Sequence, residues 1–281
     1  MTYNDFKQSL LALPSERLDK IKSLRHSLNI VGVSGGKDSL ATCTLLHWLD
    51  IPFKTITAEV WWKQDITGEN PLHYEFLHNV AIPKLNSWGV ECDLVRSSIT
   101  AYDYMTTPIK YSKHPERIGK LRGFPLCGKC GIQRDCKLRP CAEYYKAQTE
   151  PYEVITGIAN DEKERLLSAS ANHRMSILEL VEVSEWQTYG IVAPENLLSP
   201  TYTFSDRGGC WFCPNQKIQE LALLYRDFPH LWDELMEIQK MPNKVQENFN
   251  RTQTLYDIEN QIKNGVQQKW FVGEMIKGGD T

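Results

Sequence analysis

Hydrophobic residues in this chain fall into two kinds of stretch. Short, nearly continuous apolar runs occupy 28–33, 53–60, 91–95 and 153–156. Runs of that length without polar alternation read as strands buried on both faces. Between and after them, apolar residues recur at helical spacing over 39–49, 71–88, 137–147 and 161–169. Strands alternating with helices predict a mostly parallel, doubly wound α/β sheet with helices on both faces and right-handed crossovers. Beyond Gly208 the pattern becomes purely helical, over 217–226, 230–240 and 252–263, with turns at Asp227-Phe228-Pro229 and Met241-Pro242-Asn243. The expected organisation is an N-terminal helical segment (1–27), an α/β nucleotide-binding domain (28–215) and a small helical C-terminal part (216–281). Residues 97–129 have little periodicity, and irregular stretches of that length are more often functional than inert.

Residues 34–39 read Ser-Gly-Gly-Lys-Asp-Ser, directly after the first predicted strand and at the start of the first predicted helix. A strand, a glycine turn and a helix N-terminus aim backbone N–H groups and a positive dipole end at one point, which makes a phosphate site. The Walker loop is excluded: only three residues separate Gly32 from Gly36, and Asp38 follows Lys37. Gly35 and Gly36 can take positive φ, Lys37 supplies a point charge, Ser34 and Ser39 supply hydroxyls, and Asp38 suits a helix cap or a magnesium ion. The plain alternative is an ordinary glycine turn before a helix.

Ligands of such sheets bind beyond the carboxyl ends of the strands, where Glu59 and the Gly157 loop should also emerge. Gly157 would let the backbone approach a nucleotide, and Asp161 would cap the next helix, leaving Glu162 and Arg165 in its first turn. A capped surface helix with i, i+3 charge pairs accounts for the same residues. Glu59 is a candidate for magnesium or the adenosine edge, or a solvated strand end.

Composition suits a folded enzyme: 281 residues, 41% hydrophobic, 24% charged, net charge −3. No stretch is long and apolar enough to span a bilayer, and 1–27 carries Asp5, Glu16 and Asp19 without an apolar signal core. A cytoplasmic protein with no membrane partner is expected. Charge is uneven, however. Between Lys110 and Arg139 nine Lys or Arg face only Glu116 and Asp135, a local excess of seven positive charges. An anionic partner fits such a stretch, as does a solvated loop. Nearby aromatics for base stacking are few, Tyr111 and Phe124 among them, so a nucleoside triphosphate or a sulfated nucleotide explains the charge as well as a nucleic acid does.

Of eight cysteines, Cys127, Cys130, Cys136 and Cys141 cluster, Cys210 and Cys213 form a Cys-x-x-Cys pair, and Cys43 and Cys92 stand alone as core candidates. In a cytoplasmic chain the clustered six point to metal binding or thiol chemistry. A Cys-x-x-Cys turn aims two thiolates at one metal, and a tetrahedral site needs two more from the first group.

The glycine turn with its flanking strand and helix resembles the PP-loop ATP pyrophosphatases. Later segments narrow the likeness to the branch named after phosphoadenosine phosphosulfate reductase. These are Glu59-Val60-Trp61-Trp62 with 68–76, Gly157 to Arg165 as Gly-x-x-x-x-Glu-x-x-Arg, and Arg207 to Pro214 as Arg-x-Gly-Cys-x-x-Cys. The resemblance spans about residues 28 to 225 and implies an adenine nucleotide α-hydrolase-like fold. It also implies that Ser34 to Ser39, Glu59, Gly157, Glu162 and Arg165 hold ATP and Mg2+. The branch's Cys-x5-Cys-Lys-x-x-Pro pattern falls on Cys130 to Pro140 and selects Cys130, Cys136, Cys210 and Cys213 as metal ligands. Cys127 and Cys141 are left as spare thiols. The same likeness favours a 4Fe-4S cluster, which Pro214 after Cys213 also suits, with structural Zn2+ as the alternative.

The reaction so implied is adenylation. An acceptor oxygen attacks the α phosphorus, pyrophosphate leaves, and Lys37, Asp38, Ser39 and magnesium stabilise the departing charge. Sulfur transfer would follow, from a cysteine desulfurase-type donor, as in the sulfur-inserting subunit of DNA phosphorothioation systems, which this chain is similar to. Sulfonucleotide reduction or sulfate activation is the competing enzyme reading. The reductases use a C-terminal cysteine, and this chain has none beyond Cys213. A non-catalytic nucleotide- or nucleic-acid-binding module with structural zinc is the competing non-enzyme reading.

Overall fold

All four apolar runs form strands in the computed structural model, which describes residues 3–125, 130–206 and 208–265. The strands are β1 (Leu28–Gly32), β2 (Lys54–Glu59), β3 (Trp61–Lys63), β4 (Ile66–Thr67), β5 (Cys92–Arg96), β6 (Leu121–Gly123), β7 (Tyr152–Thr156), β8 (Arg174–Met175) and β9 (Lys244–Gln246). Five of them make one sheet in the order β5-β2-β1-β7-β8. β1 pairs in parallel with β2, Ile30 opposite Lys54, and with β7, Leu28 opposite Tyr152; β7 pairs in parallel with β8. Ile30, Val31 and Ile155 are fully buried, as strands covered on both faces require. The fold is therefore α/β with a parallel sheet, as the alternation predicted. Two-residue β8 is too short to leave a pattern in the sequence.

The strand order fixes where a ligand can sit. From β1 the chain moves outward through β2 to β5, then returns to the other side of β1 for β7 and β8. The reversal lies between β1 and β7, and the turns after these two strands flank it at their carboxyl ends. Those turns are the glycine segment at 33–36 and the loop that starts at Gly157.

Contacts divide the chain differently from the linear partition at 27 and 215. One unit comprises Met1–Ala58, Leu72–Val95 and Pro140–Pro200; the other comprises Glu59–Pro71, Arg96–Arg139 and Thr201–Thr281. The first contains most of the five-stranded sheet. Its N-terminal helices Tyr3–Leu11 and Ser15–Ser23, within the segment expected to be helical, bury Phe6 and Ile21 in that unit's own core. Helix Lys37–Trp48 buries Leu40, Ala41, Cys43, Leu45 and Leu46, and its buried Thr42 and Thr44 hydroxyls donate to carbonyls of the preceding turn.

The second unit is built on aromatics. Val60, Trp62, Phe124, Trp211, Phe212, Leu235 and Phe249 share one core with helices Ile218–Asp227, Pro229–Lys240 and Leu255–Lys263. The C-terminal helices thus pack with residues from 59–71 and 96–139, which local periodicity cannot reveal. Within the stretch read as irregular, helix Ala101–Thr106 forms behind a capping box between Thr100 and Asp103.

Two helices widen into π turns, at Leu77–Ala81 and Gln133–Leu138. Each wide turn precedes a proline, Pro83 or Pro140, which lacks the N–H that would bond the carbonyl four residues back. The expected helix at 137–147 therefore starts earlier, at 131, and passes through Pro140 to Lys146. No helix among the described residues is long and apolar enough to cross a membrane.

Candidate functional site

In the first unit the glycine turn is held from beneath by a side chain that spacing did not single out. Gly35 has φ +74°, a conformation that favours glycine, and a Cβ there would come within 2.9 Å of His73 Nε2. His73 is buried; its Nε2 lies 2.8 Å from the Ser34 carbonyl and its Nδ1 3.0 Å from Ser199 Oγ. A carbonyl can only accept, so Nε2 carries the proton, and a neutral ring then accepts from the Ser199 hydroxyl at Nδ1. The loop hydroxyls brace the turn itself. Ser39 Oγ donates to the Gly36 carbonyl at 2.8 Å, and the Gly36 N–H points to Ser34 Oγ at 3.4 Å. Helix Lys37–Trp48 begins immediately after, so its first-turn N–H groups open on the same spot.

Lys37 does not project toward solvent. Its side chain is 2% exposed, and Nζ lies 2.9 and 3.1 Å from the Asp38 carboxylate oxygens and 2.9 Å from Glu185 Oε1. Burial works against the lysine charge, yet the hydrogen bonds that Nζ donates to Glu185 and Asp38 outweigh it and hold its pKa above the ordinary lysine value. Thr188 Oγ1 sits 2.9 Å from Asp38 Oδ1, and the Glu185 N–H donates to Asp161 at 2.9 Å. Asp161 therefore does not cap the helix that follows it. Its carboxylate fixes the N-terminus of helix Glu185–Val192 instead.

Gly157 has to be glycine for a reason other than nucleotide approach. A Cβ there would lie 2.5 Å from the Ser39 backbone nitrogen and 2.6 Å from its Cα. The loop after β7 thus packs directly on the start of helix Lys37–Trp48. Glu162 accepts the Ala159 N–H at 3.1 Å and pairs with Arg165 one turn on, at the start of helix Lys163–Ala171. That is the charge-pair arrangement, with Arg165 60% exposed.

Glu59 and the four ligand-candidate cysteines belong to the second unit. Glu59 is not a solvated strand end. Its side chain is 2% exposed and accepts from Arg96 Nε at 2.8 Å, while the Arg96 guanidinium lies 4.0 Å over the Trp61 ring.

Cys130, Cys210 and Cys213 line one cavity of about 380 Å3, together with Lys137 and Gln216. Residues 67–70 run antiparallel to 209–211, with Glu69 opposite Cys210, and this places the Cys-x-x-Cys turn. Lys137 pairs with Glu69 at 2.6 Å; burial opposes its charge, but Glu69 keeps its pKa raised. Gln216 Oε1 is buried without a hydrogen-bond partner. Cys136 does not line this cavity, although it lies close enough to Cys130 for the two thiols to interact electrostatically. It is 1% exposed, its thiol donates to the Ile99 carbonyl at 3.3 Å, and burial pushes its pKa up to about 11. Burial likewise raises Cys210. Among the described residues, no group of three or more His, Cys, Asp or Glu side chains is arranged to hold a metal ion.

Cys127, Lys129 and Arg207 lie outside the described residues. Cys43 is fully buried, as expected of a core thiol; Cys92 and Cys141 are half-buried. Several cations of the basic stretch are engaged: Arg134 by Asp135, Lys137 by Glu69, and Arg122 by the Tyr104 and Thr107 carbonyls. Lys110 and Lys113 are exposed on either side of Tyr111, itself 92% exposed.

Sequence reasoning missed His73, Glu185, Thr188 and Ser199. His73 lies inside a segment singled out for other reasons, and the others are separated from the loop by about 150 residues. No family model matches the chain, and no curated protein matches it.

Proposed function

We propose that the chain binds ATP at the turn after β1 and cleaves it between the α and β phosphates, releasing pyrophosphate and adenylating an acceptor. The observation that carries this reading is the turn itself. Gly35 at positive φ, clamped to His73 through Ser34, leads into a twelve-residue helix whose N-terminal dipole and N–H groups favour a polyanion. The turn lies at the strand-order reversal, where α/β sheets take their ligands. A buried lysine held by carboxylates goes beyond what phosphate binding alone needs, since backbone donors would suffice for that.

In this reading the first-turn N–H groups and Lys37 bear the charge that collects on the leaving pyrophosphate. Magnesium bound with the triphosphate supplies further charge neutralisation, and Asp38 is the carboxylate of this site that would hold it. The acceptor is an anionic or nucleophilic molecule, nucleic acid among the candidates, and transfer of sulfur from a separate donor is the step that would use the adenylate. The cysteines carry no step of the reaction as written. The described residues close no metal site, although three thiols share a cavity.

Two measurements test the proposal. Isothermal calorimetry with MgATP should give saturable heat, and pyrophosphate should be released when an acceptor is supplied. Absence of both from folded protein overturns the reading. For the cysteines, anaerobic purification followed by iron, zinc and sulfide analysis decides between a 4Fe-4S cluster, zinc and free thiols.

A further inference from the structure

Lys37 lies at the first position of the nucleotide-binding helix, yet its charge is already used. Two carboxylates hold Nζ, and they differ. Asp38 is adjacent in sequence, 22% exposed, and further fixed by Thr188 Oγ1 at 2.9 Å. Glu185 comes from 148 residues away, is 53% exposed, and meets Nζ through one oxygen at 2.9 Å. Its backbone is anchored, because the Glu185 N–H donates to Asp161 and a Ser184–Gln187 capping box starts the helix. Only the side chain is free to turn toward solvent. A buried ammonium with a fixed partner on one side and a half-exposed partner on the other releases the exposed one first, since that carboxylate regains its hydration on leaving.

We propose that Glu185 is a positioning residue and counter-ion gate for Lys37: its carboxylate occupies the place of a triphosphate oxygen and swings out when the polyanion binds. This inference rests on the ATP reading and deepens it. Ligand binding then exchanges one anion for another around the same lysine. The gate lets only ligands with enough negative charge displace Glu185, so a triphosphate is favoured over a monophosphate at this turn. In the free protein it also gives the buried ammonium a second carboxylate beside Asp38.

The test is a binding cycle on the full chain, using inorganic triphosphate, MgATP and adenosine monophosphate as calorimetric probes with wild type, Glu185→Gln, Glu185→Asp, Lys37→Ala and the Lys37→Ala/Glu185→Gln double variant. Circular dichroism melts establish that each is folded, and Glu185→Asp keeps the charge while pulling it one methylene back from Nζ. Removing the competitor should tighten triphosphate binding by about tenfold in Glu185→Gln and by a smaller factor in Glu185→Asp, as expected for one charge-assisted hydrogen bond. The gain should vanish in the Lys37→Ala background, and adenosine monophosphate should gain less than triphosphate. A structural role for Glu185 would weaken binding, not tighten it. Saturable binding by wild type with equal or weaker binding by both Glu185 variants overturns the gate and leaves the ATP reading standing. No binding by any folded variant overturns both, and a gain that survives in the Lys37→Ala background also refutes the gate.

Discussion

The glycine turn and the cysteine cavity are both sites that sequence reasoning nominated, and they came out differently. At the turn, six consecutive residues run from the bend after β1 into the first turn of its helix, and the flanking Gly157 loop packs on that helix start. At the cavity, three of the four nominated thiols line one wall while Cys136 is turned to the Ile99 carbonyl. A contiguous motif carries its geometry within the local backbone. A ligand set drawn from two segments separated by some seventy residues depends on how those segments pack, and Pro140 reshapes the helix carrying Cys136 into a wide turn.

The contrast can be broken most sharply at glycine. Gly157→Ala puts a methyl group 2.5 Å from the Ser39 nitrogen, against backbone that cannot yield cheaply. It should cost about 3 kcal/mol and abolish MgATP binding, read by thermal melt and calorimetry. Gly209→Ala, with nothing within 4 Å of the new carbon, should leave the melt within about 1 kcal/mol of wild type. Equal effects of the two would mean that the turn is no more tightly built than the cavity.

A crossed pair of variants tests whether the two regions are separate. Lys37→Ala should lower pyrophosphate release by about a hundredfold or more and leave unchanged whatever iron or zinc the wild-type protein is found to carry. Cys213→Ser should leave MgATP binding in place and lower that iron or zinc if the cysteines hold it. Metal loss in the lysine variant would show that one site had been read as two.

His73→Ala withdraws the partner of a carbonyl under the turn and should destabilise the fold by about 2 kcal/mol, with a larger loss of nucleotide affinity than of melting temperature. Arg165→Ala removes an exposed partner of Glu162 and should shift stability by less than about 1 kcal/mol. A large loss of MgATP affinity in that variant would reassign Arg165 from the Glu162 pair to the phosphates.

The smallest effect expected is of pH through Lys37. Its pKa in the fold lies above the ordinary 10.5, so the ion pairs contribute fully below that value and are lost only as pH rises through the raised one. Between pH 7 and about 9.5, wild type and Glu185→Gln should therefore differ in stability by a constant amount. A difference that changes in this range would mean that Lys37 titrates low.

Much of this was legible in the chain itself. The four apolar runs became strands within a residue or two of their expected ends; burial explains the continuous signature of β1 and β2, whereas β5 at the sheet edge leaves Leu94 exposed. Gly35 marked the turn because glycine takes positive φ without cost, whereas Gly36, also expected to be able to, lies at φ −75° as the residue before the helix. Gly157 was expected to let the backbone approach a nucleotide, and the group that approaches it in the fold is the Ser39 backbone.

Sequence alone determined the α/β alternation, the turn after β1 and the residues at its lip, since each follows from local propensity and period. Tertiary structure decided that Glu185 neutralises Lys37, that His73 and Ser199 support Ser34, that Glu59 is taken by Arg96, and that the C-terminal helices share a core with 59–71 and 96–139. The physical reason is range. Backbone geometry and side-chain period act over a few residues, whereas ion pairs and buried hydrogen bonds go to whichever partner the folded chain brings within about 3 Å, however distant in sequence.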